Sequence, residues 1–319
     1  MNDQSSRGAV LVVGSANMDM VVRCEQFPRP GETIFGDEFG MYPGGKGANQ
    51  AVACARVGGH VYFLGKMGAD VFHEQLAGAL RRDGVRLDHL LVDAEVPTGI
   101  ALITVNGDGE NEIIVVSGSN MRLTPADVDA HAGAFEGAEV VLLQLEVPLE
   151  TVHRAAERAR AAGATVILNP APARPLPPSL LALVDLLTPN ETEAEILTGI
   201  PVTDEASAVR AAGRLLDQGV GRVVFTLGER GALVVEPGGS RHHPARAVRA
   251  VDTTAAGDAF NGALAFALAD GRSLDDALPF ANTVAAFAVT RKGAQTSMPD
   301  AAELAAFTAE LEPVDSEET

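Results

Sequence analysis

The chain has 319 residues, 46% hydrophobic and 21% charged, with no Trp and 4% aromatics, so its core has to be built from Ala, Val, Leu and Ile, which suits buried parallel strands and covering helices. The charge is lopsided, 24 Lys and Arg against 43 Asp and Glu for a net of -19, which argues against nucleic acid or an anionic membrane as partner. Two cysteines, Cys24 and Cys54, exclude a disulfide framework and a structural zinc site, and no run is long enough to span a bilayer.

In chain order, residues 1–7 are polar and read as a loose end without a signal-peptide core, so the expected compartment is the cytoplasm. Ala9–Gly14 is a short apolar run read as a buried strand. Strand-like pieces follow near Met20–Arg23 and Thr33–Phe39, then a small-residue helix over Gly45–Val57. Val61–Lys66 reads as a strand and Val71–Asp83 as a helix. Gly99–Val105 and Glu112–Val116 flank Asn106-Gly107-Asp108-Gly109, a hairpin signal.

From Val140 the pattern alternates: strand Val140–Gln144, helix Leu149–Ala162 ended by Gly163, strand Thr165–Asn169, short helix Leu180–Val184 and strand Leu186–Thr188. Helices Glu191–Thr198 and Ala206–Gln218 are each followed by Gly. Arg222–Thr226 and Ala232–Glu236 are strands, Ala247–Val251 is strand-like, and Ala256–Ala269 and Leu274–Thr290 are long apolar helices. Such alternation predicts an α/β sheet with helices on both faces. The early hairpin pieces break it and suggest a small separate sheet, a candidate lid. Glu312–Thr319 is acidic and reads as a second loose end.

No strand is followed by G-x-G-x-x-G, so a dinucleotide site is unsupported. Gly40–Lys46 matches G-x-x-x-x-G-K, but Gly47 stands where a P-loop needs Ser or Thr to ligate Mg²⁺. Gly44-Gly45-Lys46-Gly47-Ala48-Asn49 is read differently. Its glycines allow close backbone approach to a ligand, and the following helix start is expected to offer free N–H groups. A plain glycine turn opening a helix fits the same residues.

Asp252-Thr253-Thr254-Ala255-Ala256-Gly257-Asp258 is sharper. Small residues expose amides at a helix start, where the dipole adds positive potential and phosphate oxygens bind. Asp258 falls in the first turn. On spacing alone it fits an ordinary acidic residue completing the helix start. A carboxylate beside an anion site instead suits proton or metal handling, and phosphoryl transfer uses one to deprotonate the attacking hydroxyl.

Together these residues resemble the ribokinase family of carbohydrate kinases over nearly the whole chain. The resemblance is carried by Gly14–Asp19, Pro43–Ala51, Gln144–Glu146, Asn169–Ala173, Thr188–Glu193, Thr226–Gly228 with Gly231, Asp252–Gly262 and Thr290–Gln295. Met18 and Met20 depart from the polar or smaller residues frequent beside Asp19, and Asn282 stands where some relatives carry His.

The resemblance implies a single α/β domain over 1–319. Its core would be a doubly wound, mostly parallel sheet, with a small β-sheet lid from segments about 18–44 and 97–118 inserted into it. It implies ATP-dependent phosphorylation of a sugar, D-ribose at O5 ahead of 2-deoxyribose, a hexose or a nucleoside. Asn17, Asp19, Gly45, Lys46, Asn49 and Glu146 would hold the sugar, and Asp258 would be the base. Ala255, Ala256 and Gly257 would form the anion hole. Asn190, Thr226, Leu227, Gly228, Gly231, Gly257 and Asn282 would meet ATP. Asn190 and Glu193 would organise Mg²⁺ and phosphate, mostly through water. Asp252, Thr254, Ala288, Arg291, Gly293 and Ser297 would surround a monovalent cation, usually K⁺. A homodimer through the lid is implied as well.

Overall fold

The computed structural model describes residues 8–311; the loose ends read at 1–7 and 312–319 lie outside the described residues. Its strands and helices, in chain order, are β1 (Ala9–Val13), β2 (Asn17–Arg23), β3 (Glu38–Gly44), α1 (Lys46–Arg56), β4 (His60–Leu64), β5 (Lys66–Gly68), α2 (Val71–Arg82), β6 (Leu91–Asp93), β7 (Gly99–Val105), β8 (Asn111–Val116), α3 (Pro125–Ala130) and α4 (Ala132–Glu136). They continue with β9 (Ala138–Leu143), α5 (Leu149–Ala162), β10 (Thr165–Leu168), α6 (Pro178–Leu181), β11 (Leu186–Leu187), α7 (Glu191–Thr198), α8 (Glu205–Leu216), β12 (Arg222–Thr226), β13 (Ala232–Glu236), β14 (Gly239–His243), α9 (Ala256–Ala269), α10 (Leu274–Val289) and α11 (Ala301–Leu311).

The main sheet runs β14-β13-β12-β11-β10-β9-β1-β4. From β12 to β4 every neighbour is parallel, and β13 and β14 finish one edge as antiparallel strands. Alternation along each strand sorts side chains to two faces. Val10 and Val12 join Val140, Leu142 and Ile167 under α1, α9 and α10. Leu11 and Val13 join Val141, Leu143, Val166 and Leu168 under α5 and α8. Both faces are covered, so the strands are apolar throughout, as the composition predicts. The chain passes from β1 to β4 on one side and later to β9 on the other. The strand order therefore reverses between β1 and β9, where open α/β sheets hold ligands beyond their carboxyl ends.

The early pieces form a second sheet, ordered β3-β2-β7-β8. β2 pairs with β7 in parallel, while β2–β3 and β7–β8 are antiparallel. The expected hairpin is present: Gly109 N–H donates to the Asn106 carbonyl at 3.0 Å. Every residue of β8 is exposed.

Gly163 and Gly199 end α5 and α7 in the left-handed conformation, as read from the sequence. The strand expected at Thr33–Phe39 starts only at Glu38. Ala247–Val251 makes no strand; Val251 N–H is tied to the Val289 carbonyl at the end of α10 at 2.7 Å. The edge strand β14 lies instead in polar Gly239–His243, held by backbone pairing to β13 without a hydrophobic pattern.

Helices α1 and α9 touch closely. A Cβ at Gly262 would stand 2.4 Å from the Gln50 carbonyl oxygen and 2.9 Å from Cys54 N. Both cysteines are buried and unpaired, and burial pushes the Cys54 thiol up. Among the described residues no helix is long and apolar enough to cross a membrane.

Candidate active site

Polar side chains collect at the strand-order reversal. Beyond β1, Ser15 Oγ donates to Glu146 Oε2 at 2.5 Å, and the backbone N–H of Lys46 donates to the same oxygen at 3.0 Å. The N–H of Gly47 reaches Ser15 Oγ at 3.3 Å and that of Ala48 the Ser15 carbonyl at 2.8 Å. The N–H groups expected to be free at the start of α1 are thus taken. Glu146, arriving after β9, is the anion that this helix start receives.

Glycine is required here by space. Gly45 has φ 88 and ψ 131. A Cβ there would lie 2.7 Å from Asn17 N, and one on Gly47 2.6 Å from Ser15 N. At Gly44 a Cβ would overlap the Asp19 carboxylate, so Asp19 lies directly over the glycine pair.

Asn17 is buried, and its Oδ1 accepts from Asn120 Nδ2 at 2.7 Å; Asn120 also spans the Ala16 backbone N–H and carbonyl. Burial, then Glu146 and Asp258, push the Asp19 carboxyl up to about 7. Asp258, with Glu146 and Glu193, holds the Lys46 ammonium above the ordinary lysine range against the opposing effect of burial. Burial raises the Glu193 carboxyl too, with Lys46 acting against it and Asp258 adding to it. These couplings bring Asp19, Lys46, Glu146, Glu193 and Asp258 within electrostatic reach of one another.

Asp258 sits in the first turn of α9 and is buried. Its Oδ2 accepts from Asn49 Nδ2 at 3.0 Å and its Oδ1 from Gln50 Nε2 at 2.9 Å. The helix starts from Ala255 at φ 58, the one non-glycine residue with positive φ among the described residues. Left-handed alanine is strained by about 1–2 kcal/mol, and such strain is found where function over-determines the backbone. The Ala256 N–H is spent on the Thr253 carbonyl at 3.2 Å. Those of Ala255, Gly257 and Asp258 have no partner among the described residues. Space beside Gly257 is open.

Asn190 and Glu193 form a reciprocal capping box on α7: Glu193 N–H donates to Asn190 Oδ1 at 2.8 Å and Asn190 N–H to Glu193 Oε2 at 2.9 Å. Asn190 also bridges to Thr226, which leads into Leu227, Gly228 and Gly231. Leu227 N–H is held by the Gly231 carbonyl at 2.8 Å. Asn282 is buried and donates to the His243 carbonyl at 2.9 Å, against the segment that Gly231 also touches. Its amide therefore braces this loop, in addition to any contact with a nucleotide.

Among the described residues no three His, Cys, Asp or Glu side chains are grouped to hold a metal unaided. Glu193 keeps one carboxylate oxygen outside the capping box, a donor set that fits an Mg²⁺ bringing its own waters and phosphate oxygens. Asp252 joins the two segments expected around a monovalent cation, accepting from Thr254 N–H and Gly293 N–H, both at 2.9 Å. Burial pulls the Asp252 carboxyl up, but these bonds prevail and hold it below its usual range. Ser297 is buried at the end of the short 3-10 turn Gln295–Ser297, and its Oγ donates to Ala294 O at 2.8 Å. The Arg291 side chain turns outward onto Phe287 and Glu303, leaving only its backbone for such a site, and Ala288 has no side-chain donor.

The residues missed in the sequence are amides and a hydroxyl: Ser15, Gln50, Asn120, Gln144, Asn169 and Gln295. All are buried and hydrogen-bonded, with partners far away in the chain. All but Asn120 stand inside the quoted motifs, which was the available signal.

The pattern of the pfkB family carbohydrate kinases matches residues 8–301. The chain belongs to this family. Within the pfkB family it is 43% identical over 301 residues to a ribokinase of Haemophilus influenzae, covering 94% of this chain and 98% of that one. It is 41% identical over 292 residues to a deoxyribokinase of Salmonella typhimurium, covering 91% and 95%. The structure is similar to that of an Arabidopsis thaliana ribokinase complexed with ribose and ATP, with a TM-score of 0.90, 36% identity and coverage of 94% and 98%. As a pfkB family member the chain is a carbohydrate kinase with a ribokinase-like α/β fold.

Proposed function

We propose that the protein transfers the γ-phosphate of ATP to the O5 hydroxyl of D-ribose, giving D-ribose 5-phosphate, with Asp258 as the general base. The observation that carries this reading is the Asp258 carboxylate: two amides orient it, and it stands one residue from N–H groups open at the start of α9. Relatives named ribokinase, and a ribokinase solved with ribose and ATP, support the substrate pair.

Asn17, Asp19, Gly45, Lys46, Asn49 and Glu146 orient the sugar through directional bonds to its hydroxyls. Asp258 takes the O5 proton as O5 attacks phosphorus, and the phosphate leaves ADP. The N–H groups of Ala255 and Gly257 stabilise charge on the transferring group. Ala256 joins them if its turn bond to Thr253 opens. Asn190, Thr226, Leu227, Gly228, Gly231, Gly257 and Asn282 line the nucleotide side. Bound Mg²⁺ supplies charge neutralisation of the ATP phosphates, with Asn190 and Glu193 holding it through water. Asp252, Thr254, Ala288, Arg291, Gly293 and Ser297 surround a monovalent cation such as K⁺.

We read the chain as one catalytic domain, with segments about 18–44 and 97–118 as its lid. Exposed Phe39, Met41, Leu102, Ile113, Ile114 and Val116 on that small sheet support homodimer formation there. A cytoplasmic location agrees with this chemistry, because ATP and the sugar are met there.

The resemblance to a deoxyribokinase favours 2-deoxyribose as the second reading. A site that hydrogen-bonds the 2-hydroxyl rejects the deoxy sugar. A sugar panel with ATP and Mg²⁺, run in K⁺ and again in Na⁺, tests both substrate and cation. Ribose is expected to outrun 2-deoxyribose; equal turnover would sink the ribose assignment.

A further inference from the structure

Behind Asp258 lies a line of buried amides to which the proposed sugar and phosphate contacts give no role. Its direction can be worked out from one fixed point. The Thr188 backbone carbonyl can only accept, so Asn169 must face it with Nδ2, at 3.1 Å. The Asn169 Oδ1 then faces Gln50 and receives its Nε2 at 3.1 Å. The same Nε2 reaches Asp258 Oδ1 at 2.9 Å. The other end of the Gln50 amide, Oε1, accepts from Gln144 Nε2 at 2.6 Å. Gln50 and Gln144 are both fully buried, so water does not compete for these bonds.

We propose that Gln50 is a positioning residue for the Asp258 base, and that Gln144 and Asn169 fix which end of the Gln50 amide faces it. The proposal rests on the reading of Asp258 as base. An amide turned the other way would set a carbonyl oxygen against the carboxylate. An acceptor on one side and a donor on the other close that option: Asn169 Oδ1 demands the N–H₂, and Gln144 Nε2 occupies Oε1. Asn49 holds the second carboxylate oxygen and is itself braced by Gln295 Nε2 at 3.1 Å. The Asp258 carboxylate is therefore gripped at each oxygen by an amide, which fixes its plane. The charged groups facing it are Lys46 from α1, Asp19 from β2 and Glu193 from α7, with Glu146 beside Lys46 and Asp19.

A merely space-filling Gln50 and a positioning Gln50 differ in kinetics. A donor to an ionised carboxylate favours the ionised form. In Gln50→Met, kcat is expected to fall about tenfold or more, with the KM for ATP within about twofold of the parent. The acid limb of kcat/KM for ribose is expected to move up by about one pH unit. Gln144→Met should move it in the same direction by less. The double variant should be no worse than Gln50→Met, because Gln144 acts through Gln50.

An unmoved acid limb in both single variants overturns the proposal, as does a Gln144→Met effect that adds in full to Gln50→Met. If Gln50→Met does not fold, Gln144→Met decides by the same limb. Turnover retained by Asp258→Asn removes the base itself, whereas loss of turnover there with unmoved limbs in the glutamine variants removes only Gln50.

Discussion

Helices α1 and α9 both begin without a side-chain cap and next to glycine, and their first turns are joined by the bonds of Asn49 and Gln50 to Asp258. At α1 the protein closes the helix start itself: Glu146 and Ser15 take the N–H groups of Lys46, Gly47 and Ala48. At α9 only Ala256 is engaged, and the N–H groups of Ala255, Gly257 and Asp258 are open. One physical device, the positive end of a helix, thus appears in a filled and an open form. The filled end fixes glycine backbone and carboxylates that suit an uncharged polyol. The open end suits an incoming anion. Composition and spacing alone did not sort the two, because both are short runs of small residues; the family resemblance did.

Four substitutions test this contrast. The largest effect is expected at the open end, where Asp258→Asn should cut turnover by about 10³-fold or more while leaving ribose binding measurable by calorimetry. At the closed end, Gly45→Ala forces a Cβ against Asn17 N in a backbone region reserved for glycine. It should lower stability by about 2–3 kcal/mol in chemical denaturation and weaken ribose binding. Unchanged stability would mean that the glycine pair is not needed for space.

Asp19, also at the closed end, has its pKa raised from 3.8 to about 7. Between these values the folded state holds a proton that the unfolded state has lost. The sugar-free protein should therefore lose stability as pH rises from about 4 to about 7. Asp19→Asn should remove that loss, worth about 2 kcal/mol above neutrality after allowance for partial solvent exposure. Parallel pH–stability curves for the two proteins would refute the assignment. The smallest effect belongs to Ala255→Gly. Relief of the left-handed alanine, offset by glycine's extra freedom in the unfolded chain, should raise stability by at most about 1 kcal/mol in the same denaturation assay. A lower stability would show that this helix start is not strained.

The alternating strands and helices were legible because burial on both faces makes each strand an unbroken apolar run, as in Ala9–Val13 and Ala138–Leu143. Edge strand β14 was not, because an exposed edge held by backbone bonds needs no such run. In the site, Lys46, Asn49 and Asp258 could be read because they lie in contiguous glycine-rich runs. The amides behind them could not be placed. Gln50 pairs with residues 94, 119 and 208 positions away, and a glutamine in a helix carries no local mark of burial. The filling of the α1 start was hidden for the same reason, since Glu146 stands 100 residues from Lys46.

The close contact at Gly262 gives the catalytic geometry an unusual dependence. Asn49 and Gln50 ride on α1 and Asp258 on α9, so the grip on the base is a distance between two helices as much as a property of three side chains. That distance is set where the absence of one methyl lets α9 rest on the Gln50 carbonyl. A methyl at that position would part the helices before altering any group that meets sugar or ATP. The fault would then show as a base out of register with an otherwise intact cavity.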